Sequence, residues 1–209
     1  AALKTPTAII DVPQSLSIVT DEDIRKQGMR ELGDIVRYTP GVNTSQGEGH
    51  RDSVVFRGVR STADFYQDCT RDDVQYYRSL YNVDQVEVLR GPNALLFGRG
   101  GTGGIINRVT KKAQLDEQFG SFDIGADDFG AFDFAADYNT STGDSTALRL
   151  NIHFDSLENH RDLYDGDRVG FNPTLKIQMS DSTTLDLSYE YADHERFIDR
   201  GIPTAYGRP

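Results

Sequence analysis

The sequence predicts a mixed α+β unit over residues 1–112, followed by antiparallel β strands over residues 113–209. Three observations favour this fold class. Short helical segments and short strands alternate up to Lys112, where the first part closes in a glycine-rich run. Beyond Lys112, apolar and polar residues alternate with a period of two, which is typical of strands with one apolar and one wet face. These later segments are about ten residues long, whereas strands of globular proteins average roughly 5–6 residues.

The composition of the chain excludes several classes of protein. Among its 209 residues, 22 are basic and 33 are acidic, which gives a net charge of −11. We therefore expect no binding to nucleic acid through bulk charge. Cys69 is the only cysteine, which excludes an internal disulfide and a cysteine-based zinc site. No apolar run approaches the roughly 20 residues of a membrane-spanning helix, and we expect any secretion signal to have been removed already.

The first strand and two helices are predicted from local signals. Residues 13–19 alternate apolar and polar side chains, which predicts a strand. Thr20 follows as an N-cap, with three acidic residues on the first turn of the helix that it begins. Gly28 ends this helix. A second helix is predicted over residues 29–37, and Thr-Pro-Gly at 39–41 stops it.

The glycine-rich run raises the question of an enzyme. Short strands are predicted around residues 53–59 and 64–68, and the glycines of 98–103 then satisfy G-x-G-x-x-G. A dinucleotide-binding site requires a helix after the last glycine of this pattern, because the helix N-terminus holds the pyrophosphate. Residues 105–110, Ile-Ile-Asn-Arg-Val-Thr, are instead rich in β-branched side chains. They predict a strand, so the glycines are expected to serve tight turns and close packing.

Five alternating series follow, and they leave two architectures open. Their apolar members lie within residues 122–126, 132–138, 148–154, 169–179 and 185–191. A soluble sandwich would show the same alternation. The strand length, near the 9–11 residues that cross a bilayer, and the alternation of tighter and longer connections favour an outer-membrane barrel. Because an open sheet edge in lipid leaves backbone groups unpaired, a barrel requires more strands, and we expect the chain to be a fragment of one.

Four segments of the chain resemble the TonB-dependent outer-membrane receptors. In chain order they are DVPQSLSIVTDEDI, LGDIVRYTPGV, FRGVR and YYRSLYNVDQVEVLRGPNALLFGRGGTGGIINRVTK. The resemblance covers about residues 8–112 and is most specific over residues 74–111. It implies an α+β plug domain at 1–112. It also implies that residues 113–209 are the first, incomplete set of antiparallel transmembrane β-barrel strands, from a plugged barrel of about 22 strands.

Within this family, RDDVQYY, NVDQVEVLRGP and GRGGTGGIINRVTK are most similar to ferric-siderophore receptors. Membership implies a place in the bacterial outer membrane and three partners: membrane lipid, the ferric siderophore, and the TonB energising complex. TonB would pull on an N-terminal box, which is not evident before Ala8. No catalytic residue, metal site or cofactor is expected, since iron is carried only within its siderophore. Receptors for haem, cobalamin or saccharides share the RGP core and remain the alternative, and a secreted β-rich structural protein would leave the first part unexplained.

Four residues are implied in a lock between plug and barrel. Arg57 of FRGVR and Arg90 of LRGP match plug arginines that pair with barrel glutamates in relatives, and Glu87 and Arg99 would join the same polar network. The physical reason is that a guanidinium in a wet lumen of low dielectric needs a bidentate carboxylate. We expect those carboxylates beyond Pro209. An ordinary solvated arginine is the simpler alternative at each position.

Five residues are implied in ligand binding. Tyr76, Tyr77 and Arg78 match a plug apex that reaches the ligand in siderophore receptors, and Gln46 and Phe65 lie in segments that correspond to other apices. Phenol rings and a cation suit an anionic ligand with aromatic surfaces. For either tyrosine taken singly, packing against the strand that follows is an equally good interpretation.

The sequence departs from the family pattern at two positions. Relatives usually carry Asp-Gly where this chain has Asp68-Cys69, and often Arg-Asp where it has Arg78-Ser79. Because glycine permits a tight backbone turn, Cys69 leaves the geometry of that turn in question. The four histidines show no metal-binding spacing, and the acidic segment 162–167 does not have the spacing of an EF-hand.

Overall fold

A computed structural model of the chain describes residues 7–45, 47–92, 94–98, 100–202 and 205. The chain divides into two compact units, one formed by Ala1–Thr110 with Ile198–Pro209 and the other by Lys111–Phe197. Within the described residues, no helix is both long enough and apolar enough to cross a membrane.

The first unit is a mixed α+β structure built on two small sheets. A five-stranded sheet has the order β1-β7-β8-β5-β6, and a three-stranded sheet has the order β2-β3-β4. Among the described strands of this unit, only β5 and β8 pair in parallel. In chain order the elements are a 3-10 turn at Ile9–Asp11, β1 (Ser15–Thr20), α1 (Asp21–Lys26), α2 (Leu32–Arg37), β2 (Val42–Thr44), β3 (Val54–Phe56), β4 (Val59–Ser61), β5 (Phe65–Gln67), β6 (Thr70–Arg71), β7 (Val83–Arg90), α3 (Ala94–Phe97) and β8 (Gly104–Thr110).

The predicted start of α1 is confirmed, and that of α2 is corrected. Thr20 Oγ1 accepts a hydrogen bond from Asp23 N at 3.2 Å, and Asp23 Oδ2 accepts one from Thr20 N at 3.2 Å, which is a reciprocal capping box. The second helix begins at Leu32 rather than at residue 29. Residues before it are held in an extended conformation, since Leu80 N donates to the Arg30 carbonyl and Glu31 pairs with Ser79 in an antiparallel bridge.

The core of the first unit lies on both faces of the central strands β7 and β8. On one face, Val86 and Val88 pack with Leu32, Ile35 and Val36 of α2, the three residues predicted to share one side of that helix. On the other face a smaller cluster joins Leu89 and Ile105 to Tyr66 and Phe97. Strands covered on both faces read as nearly continuous apolar runs, which explains the sequence of this stretch.

The glycine-rich run leads into a strand, as predicted, and packs around a carboxylate. β8 follows it where a dinucleotide site would need a helix. Gly101 N donates to Asp64 Oδ1 at 2.8 Å. A Cβ on Gly100 would lie 2.5 Å from the same oxygen, and one on Gly103 would lie 2.8 Å from the Cβ of Val59. These glycines therefore permit close approach to protein atoms.

The second unit is an open antiparallel sheet. Its strand order is β13-β12-β11-β10-β9, and β14 also pairs with β12. Strands β9 to β12 are 8, 12, 13 and 16 residues long, which is longer than is usual in globular proteins. The strands are β9 (Phe119–Ala126), β10 (Phe132–Gly143), β11 (Thr146–Glu158), β12 (Asp165–Ser180), β13 (Thr183–Ser188) and β14 (Tyr191–Arg196).

The predicted fifth series is interrupted opposite a proline. β13 ends at Ser188 and β14 resumes at Tyr191, and the gap lies opposite Pro173 of β12. Proline has no backbone N–H, so it cannot donate to the neighbouring strand. The Tyr189 carbonyl instead accepts a hydrogen bond from Asn172 Nδ2 at 2.7 Å, while Tyr189 N still donates to the Pro173 carbonyl at 3.1 Å. The amide side chain thus supplies the donor that the proline lacks.

The faces of this sheet are reversed relative to a soluble protein. The apolar face is open, with Phe122 71% and Ile124 61% exposed and further exposed apolar side chains along β10 to β14. The opposite face is polar and is buried along β10 to β12, where Asp137 pairs with Lys111 at 3.1 Å and with Arg149 at 2.7 Å. A sandwich buries its apolar face, whereas strands in lipid expose it. The polarity favours the barrel over the sandwich.

The connections differ in length between the two ends of the sheet. At one end, two-residue turns follow β10 and β12. At the other end, residues 127–131 join β9 to β10 and residues 159–164 join β11 to β12. The loop predicted at 156–167 is therefore shorter, because β11 and β12 continue into it. Short turns at one end and longer loops at the other agree with the predicted pattern of outer-membrane strands.

Candidate functional site

Three of the predicted ligand-binding residues form one cluster. The Arg78 guanidinium carbon lies 4.2 Å from the ring centroid of Phe65 and 4.5 Å from that of Tyr76. Both rings are thus within cation–π distance of one guanidinium. Tyr77 is half-buried on the same segment between β6 and β7. Gln46 lies outside the described residues.

Arg78 is an interior residue, only 1% exposed. Its Nε donates to Asp72 Oδ2 at 2.8 Å, and its Nη1 to Asp52 Oδ2 at 3.4 Å. It also donates to three main-chain carbonyls, those of Asp72 at 3.1 Å, Val74 at 2.7 Å and Tyr76 at 3.2 Å. Phe65 beneath it is equally buried, at 1% exposure. In this conformation Arg78 and Phe65 support the segment 72–78 from the interior of the plug. Tyr76 and Tyr77 are half-buried and lie nearer to solvent.

A second buried arginine completes the cluster. Arg108 of β8 donates through Nη2 to Asp72 Oδ2 at 2.9 Å, to the Tyr76 hydroxyl at 2.8 Å and to Gln67 Oε1 at 2.8 Å. Sequence reasoning missed Arg108, Asp72 and Asp52. The available signal was a cation inside the apolar strand 105–110, because a charged residue in such a strand is almost always paired.

Burial and the two arginines shift the pKa values of the two carboxyls of this cluster, Asp52 and Asp72, in opposite directions. Burial raises the pKa of Asp52 to about 6, an effect that the nearby Arg78 only partly offsets. Burial also acts to raise the pKa of Asp72, but Arg78 and Arg108 together outweigh it and hold that pKa below its ordinary value. Burial raises the pKa of the Tyr76 phenol, so it stays a neutral donor.

Arg57 occupies a hairpin turn between β3 and β4. Its φ is +46° and that of Gly58 is +91°, so both residues of the two-residue turn lie in the left-handed region. This is the pattern of a type I′ turn, which usually holds Asn-Gly or Gly-Gly. A left-handed conformation costs an ordinary residue about 1–2 kcal/mol. An arginine at this position therefore carries backbone strain that Asn-Gly or Gly-Gly would avoid.

Arg57 and Arg90, two of the residues predicted in the lock, lie side by side. Arg90 donates to the hydroxyls of Ser15 and Ser17, both at 2.9 Å, and to the Pro40 carbonyl at 2.9 Å. Arg57 donates to the same Ser15 hydroxyl at 3.5 Å. Burial, together with the neighbouring charge of Arg57, lowers the pKa of Arg90. Among the described residues no carboxylate forms an ion pair with either arginine.

Glu87, another predicted lock residue, does not reach this pair. Glu87 lies on the opposite face of β7 from Arg90, because side chains three positions apart on a strand point in opposite directions. It is buried and accepts hydrogen bonds from Gln85 Nε2 and Asn107 Nδ2, each at 2.8 Å. Arg99 lies outside the described residues.

The turn at Asp68-Cys69 forms despite the missing glycine. Asp68 has φ +47° and Cys69 φ +64°, so this turn between β5 and β6 is also of the type I′ kind. Its conformation is fixed by β8, since the Asp68 carboxylate accepts from Thr110 N at 3.0 Å and Cys69 N donates to Asn107 Oδ1 at 2.9 Å. Cys69 thus keeps the backbone geometry that glycine usually provides, with a left-handed strain that glycine would not carry.

Comparison with known proteins identifies the first unit. Residues 8–105 match the family model described as the TonB-dependent receptor plug domain. This stretch is a TonB-dependent receptor plug domain. The chain is also 31% identical over 205 residues to the probable TonB-dependent receptor BfrD of Bordetella pertussis, and the aligned residues make up 96% of this chain and 28% of BfrD. It is 29% identical over 203 residues to the catecholate siderophore receptor Fiu of Escherichia coli K12, which covers 94% of this chain and 26% of Fiu.

Solved structures extend the likeness to the second unit. The ferric-catecholate import receptor Fiu of E. coli, in its open form, superposes with a TM-score of 0.85 at 26% identity, over 93% of this chain and 29% of Fiu. The siderophore receptor PiuA of Acinetobacter baumannii gives a TM-score of 0.85 at 27% identity, over 92% of this chain and 28% of PiuA. The fold is therefore that of a plug with the first strands of a siderophore-receptor barrel, as predicted. The chain spans little more than a quarter of these relatives.

Proposed function

We propose that this chain is the N-terminal part of an outer-membrane receptor that takes up ferric siderophores with energy from TonB. The observation that supports it best is the likeness of plug and first strands together, over 92–93% of the chain, to two structures named as siderophore receptors. The plug domain would comprise residues 1–112 and the barrel strands residues 113–209. Such a receptor makes and breaks no bond in its cargo, so neither catalytic residues nor a resident cofactor are needed.

The polarity of the second unit supports a place in the outer membrane. Its exposed apolar face would contact membrane lipid, and its buried polar face would line the lumen. The open edges of the sheet would pair with further barrel strands, since unpaired backbone groups in lipid cost several kcal/mol each. The plug would occupy the lumen with its N-terminus toward the periplasm, where the TonB complex acts.

The paired arginines support a lock between plug and barrel. Two guanidiniums that share a serine hydroxyl repel each other, and partial burial strengthens that repulsion because it lowers the local dielectric constant. Carboxylates from further barrel strands would neutralise Arg57 and Arg90 through bidentate contacts. The left-handed backbone of Arg57 is explained if this contact is needed to hold the plug. Arg99 remains a predicted member, whereas Glu87 would act within β7 and β8.

The tyrosine segment supports a site for an anionic, aromatic ligand. Tyr76 and Tyr77 would present phenol rings and hydroxyls to the ferric siderophore, while Arg78 and Phe65 hold the segment beneath them. Gln46 remains a predicted ligand contact. Haem, cobalamin or a saccharide is the alternative cargo, because the plug motif is shared among their receptors.

A binding panel on the complete receptor tests the proposal. The purified protein in detergent would be titrated with ferric catecholate, hydroxamate and carboxylate siderophores, and with haem and cobalamin. We expect tight binding to at least one ferric siderophore and much weaker binding to its iron-free form. Replacing both Tyr76 and Tyr77 with alanine should weaken that binding by about tenfold or more, since each anchoring ring is worth roughly 1 kcal/mol or above.

A matched variant controls for the loss of aromatic surface. Tyr38 of the plug is 67% exposed at the end of α2 and is not one of the predicted ligand-binding residues, so Tyr38→Ala should leave the affinity unchanged. Tight binding of haem or cobalamin with no response to any ferric siderophore would overturn the proposed cargo.

A further inference from the structure

Two loops of the plug meet beside the tyrosine cluster. Residues 47–53 lead into β3, and residues 72–78 follow β6. Asp52 N donates to the Tyr76 carbonyl at 3.2 Å, and the Arg51 guanidinium donates to the Gln75 side chain. The relative position of the loops is therefore set by direct contacts, and these contacts converge on Asp52 and Arg78.

Arg78 contacts both loops with nearly all of its donors. Its backbone N donates to Asp52 Oδ2 at 3.0 Å, and its Nη1 reaches the same oxygen at 3.4 Å. The rest of the guanidinium serves its own loop, through Asp72 Oδ2 and the carbonyls of residues 72, 74 and 76. Those three alternate carbonyls curve around one side chain, which fixes the path of the backbone that carries Tyr76.

Only arginine can make this set of contacts. Its guanidinium presents five N–H donors in a rigid plane, whereas lysine has three donors on a single nitrogen. Asp52 depends on the same contact, because it is buried and an uncompensated buried carboxylate is strongly unfavourable. Removing either partner should therefore loosen both loops together.

We propose that Asp52 and Arg78 are a positioning pair that joins loops 47–53 and 72–78 into one rigid ligand-facing surface. The inference rests on the proposed function and deepens it. Arg78, implied by the family resemblance as a ligand contact, acts through the loops it holds. The pair lowers the conformational cost of binding by ordering Tyr76 and Tyr77 in advance.

Two readouts on the complete receptor distinguish this role from direct contact. Hydrogen exchange followed by mass spectrometry reports the order of each loop without any ligand. Affinity is measured with the ferric complex of a tris-catecholate siderophore as probe. We expect Asp52→Asn and Arg78→Lys each to speed exchange in both loops, while peptides from β10 and β11 are unchanged. Each variant should also weaken binding by about tenfold, because the two loops would then have to become ordered as the ligand binds, and that ordering costs free energy.

The double variant and two surface controls sharpen the test. Asp52→Asn with Arg78→Lys should be little worse than either change alone, because the residues act as one unit. Arg37→Lys and Asp84→Asn make the same chemical changes at exposed sites of the plug and should alter neither readout. If neither this probe nor any other ferric siderophore binds the unmodified receptor, the proposed cargo is wrong, while the exchange data still decide the positioning role. Unchanged exchange in either loop, or weakened binding in Arg78→Lys but not in Asp52→Asn, would overturn it.

Discussion

Replacing Gly100 with alanine tests what the glycine-rich run does. Gly100 has φ +102°, and a Cβ placed on it lies 2.5 Å from Asp64 Oδ1. Gly28 also has a positive φ, +60°, but its Cβ would meet no atom within 4 Å. Both alanine variants therefore carry the left-handed backbone penalty of about 1–2 kcal/mol. Only Gly100→Ala must also displace a buried carboxylate.

The size of the second effect follows from the surroundings of Asp64. Its carboxylate accepts from Gly101 N at 2.8 Å and from the Ser61 hydroxyl at 2.6 Å, so it cannot turn away without losing both bonds. Overpacking of this kind costs about 1–3 kcal/mol. We expect Gly100→Ala to lower the free energy of unfolding of the plug by roughly 3 kcal/mol, and Gly28→Ala by roughly 1 kcal/mol.

Native-state hydrogen exchange of the β8 amides in the complete receptor measures this difference. Asp64→Ala supplies the control, because it removes the atom that a Cβ at position 100 would meet. In that background Gly100→Ala should cost only about 1 kcal/mol, which gives a coupling free energy of roughly 2 kcal/mol. If Gly100→Ala is equally costly with and without Asp64, close approach is not the reason for this glycine.

Three further predictions concern separate parts of the structure. Because the pKa of Asp52 is raised to about 6, the folded state holds its proton more tightly than the unfolded state, and the stability of the plug should fall as the pH rises from about 4 to 6. The charged groups that act on Asp52 are Arg78 and Glu31. Asp52→Asn should flatten this fall in stability, which would appear as a smaller difference between the melting temperatures at pH 4.5 and pH 6.5. An unaltered pH dependence would contradict the pKa assigned to Asp52. Asn172→Ala should destabilise the barrel by about 1–2 kcal/mol through the unpaired Tyr189 carbonyl. Restoring a backbone N–H with Pro173→Ala in the same chain should recover most of that loss in thermal unfolding, and no recovery would refute the role given to Asn172. Cys69→Gly should slow exchange of the β6 amides by removing a left-handed strain worth about 1 kcal/mol; faster exchange would mean that packing of the thiol outweighs the strain.

Local features of the fold could be predicted from the sequence because their causes are local. The capping box at Thr20 depends on residues three apart, and the strand at 105–110 depends on its own β-branched side chains. The alternation beyond Lys112 likewise predicted strands with two unlike faces. The alternation did not determine which of the two faces is covered. The exposure of Phe122 and Ile124 shows that the apolar face is the uncovered one.

The details of the candidate site depend on contacts distant in the chain, which no spacing rule encodes. Arg78 and Asp52 are 26 positions apart, and Arg108 reaches Asp72 across 36 positions. The sequence marked Arg78 as charged and close to tyrosines, which suits a buried support as well as a ligand contact. The break between β13 and β14 could not be predicted from its own segment either, because the proline that causes it lies on the neighbouring strand.

Uptake of radiolabelled iron tests the central claim most directly. Cells that lack their own siderophore receptors would express the complete receptor, with and without a functional TonB, and would be given iron-55 as ferric siderophores of each class. The account predicts uptake from at least one siderophore that requires both the receptor and TonB. Receptor-dependent growth on haem or cobalamin with no iron uptake from any siderophore, or uptake that is equal without TonB, would contradict it.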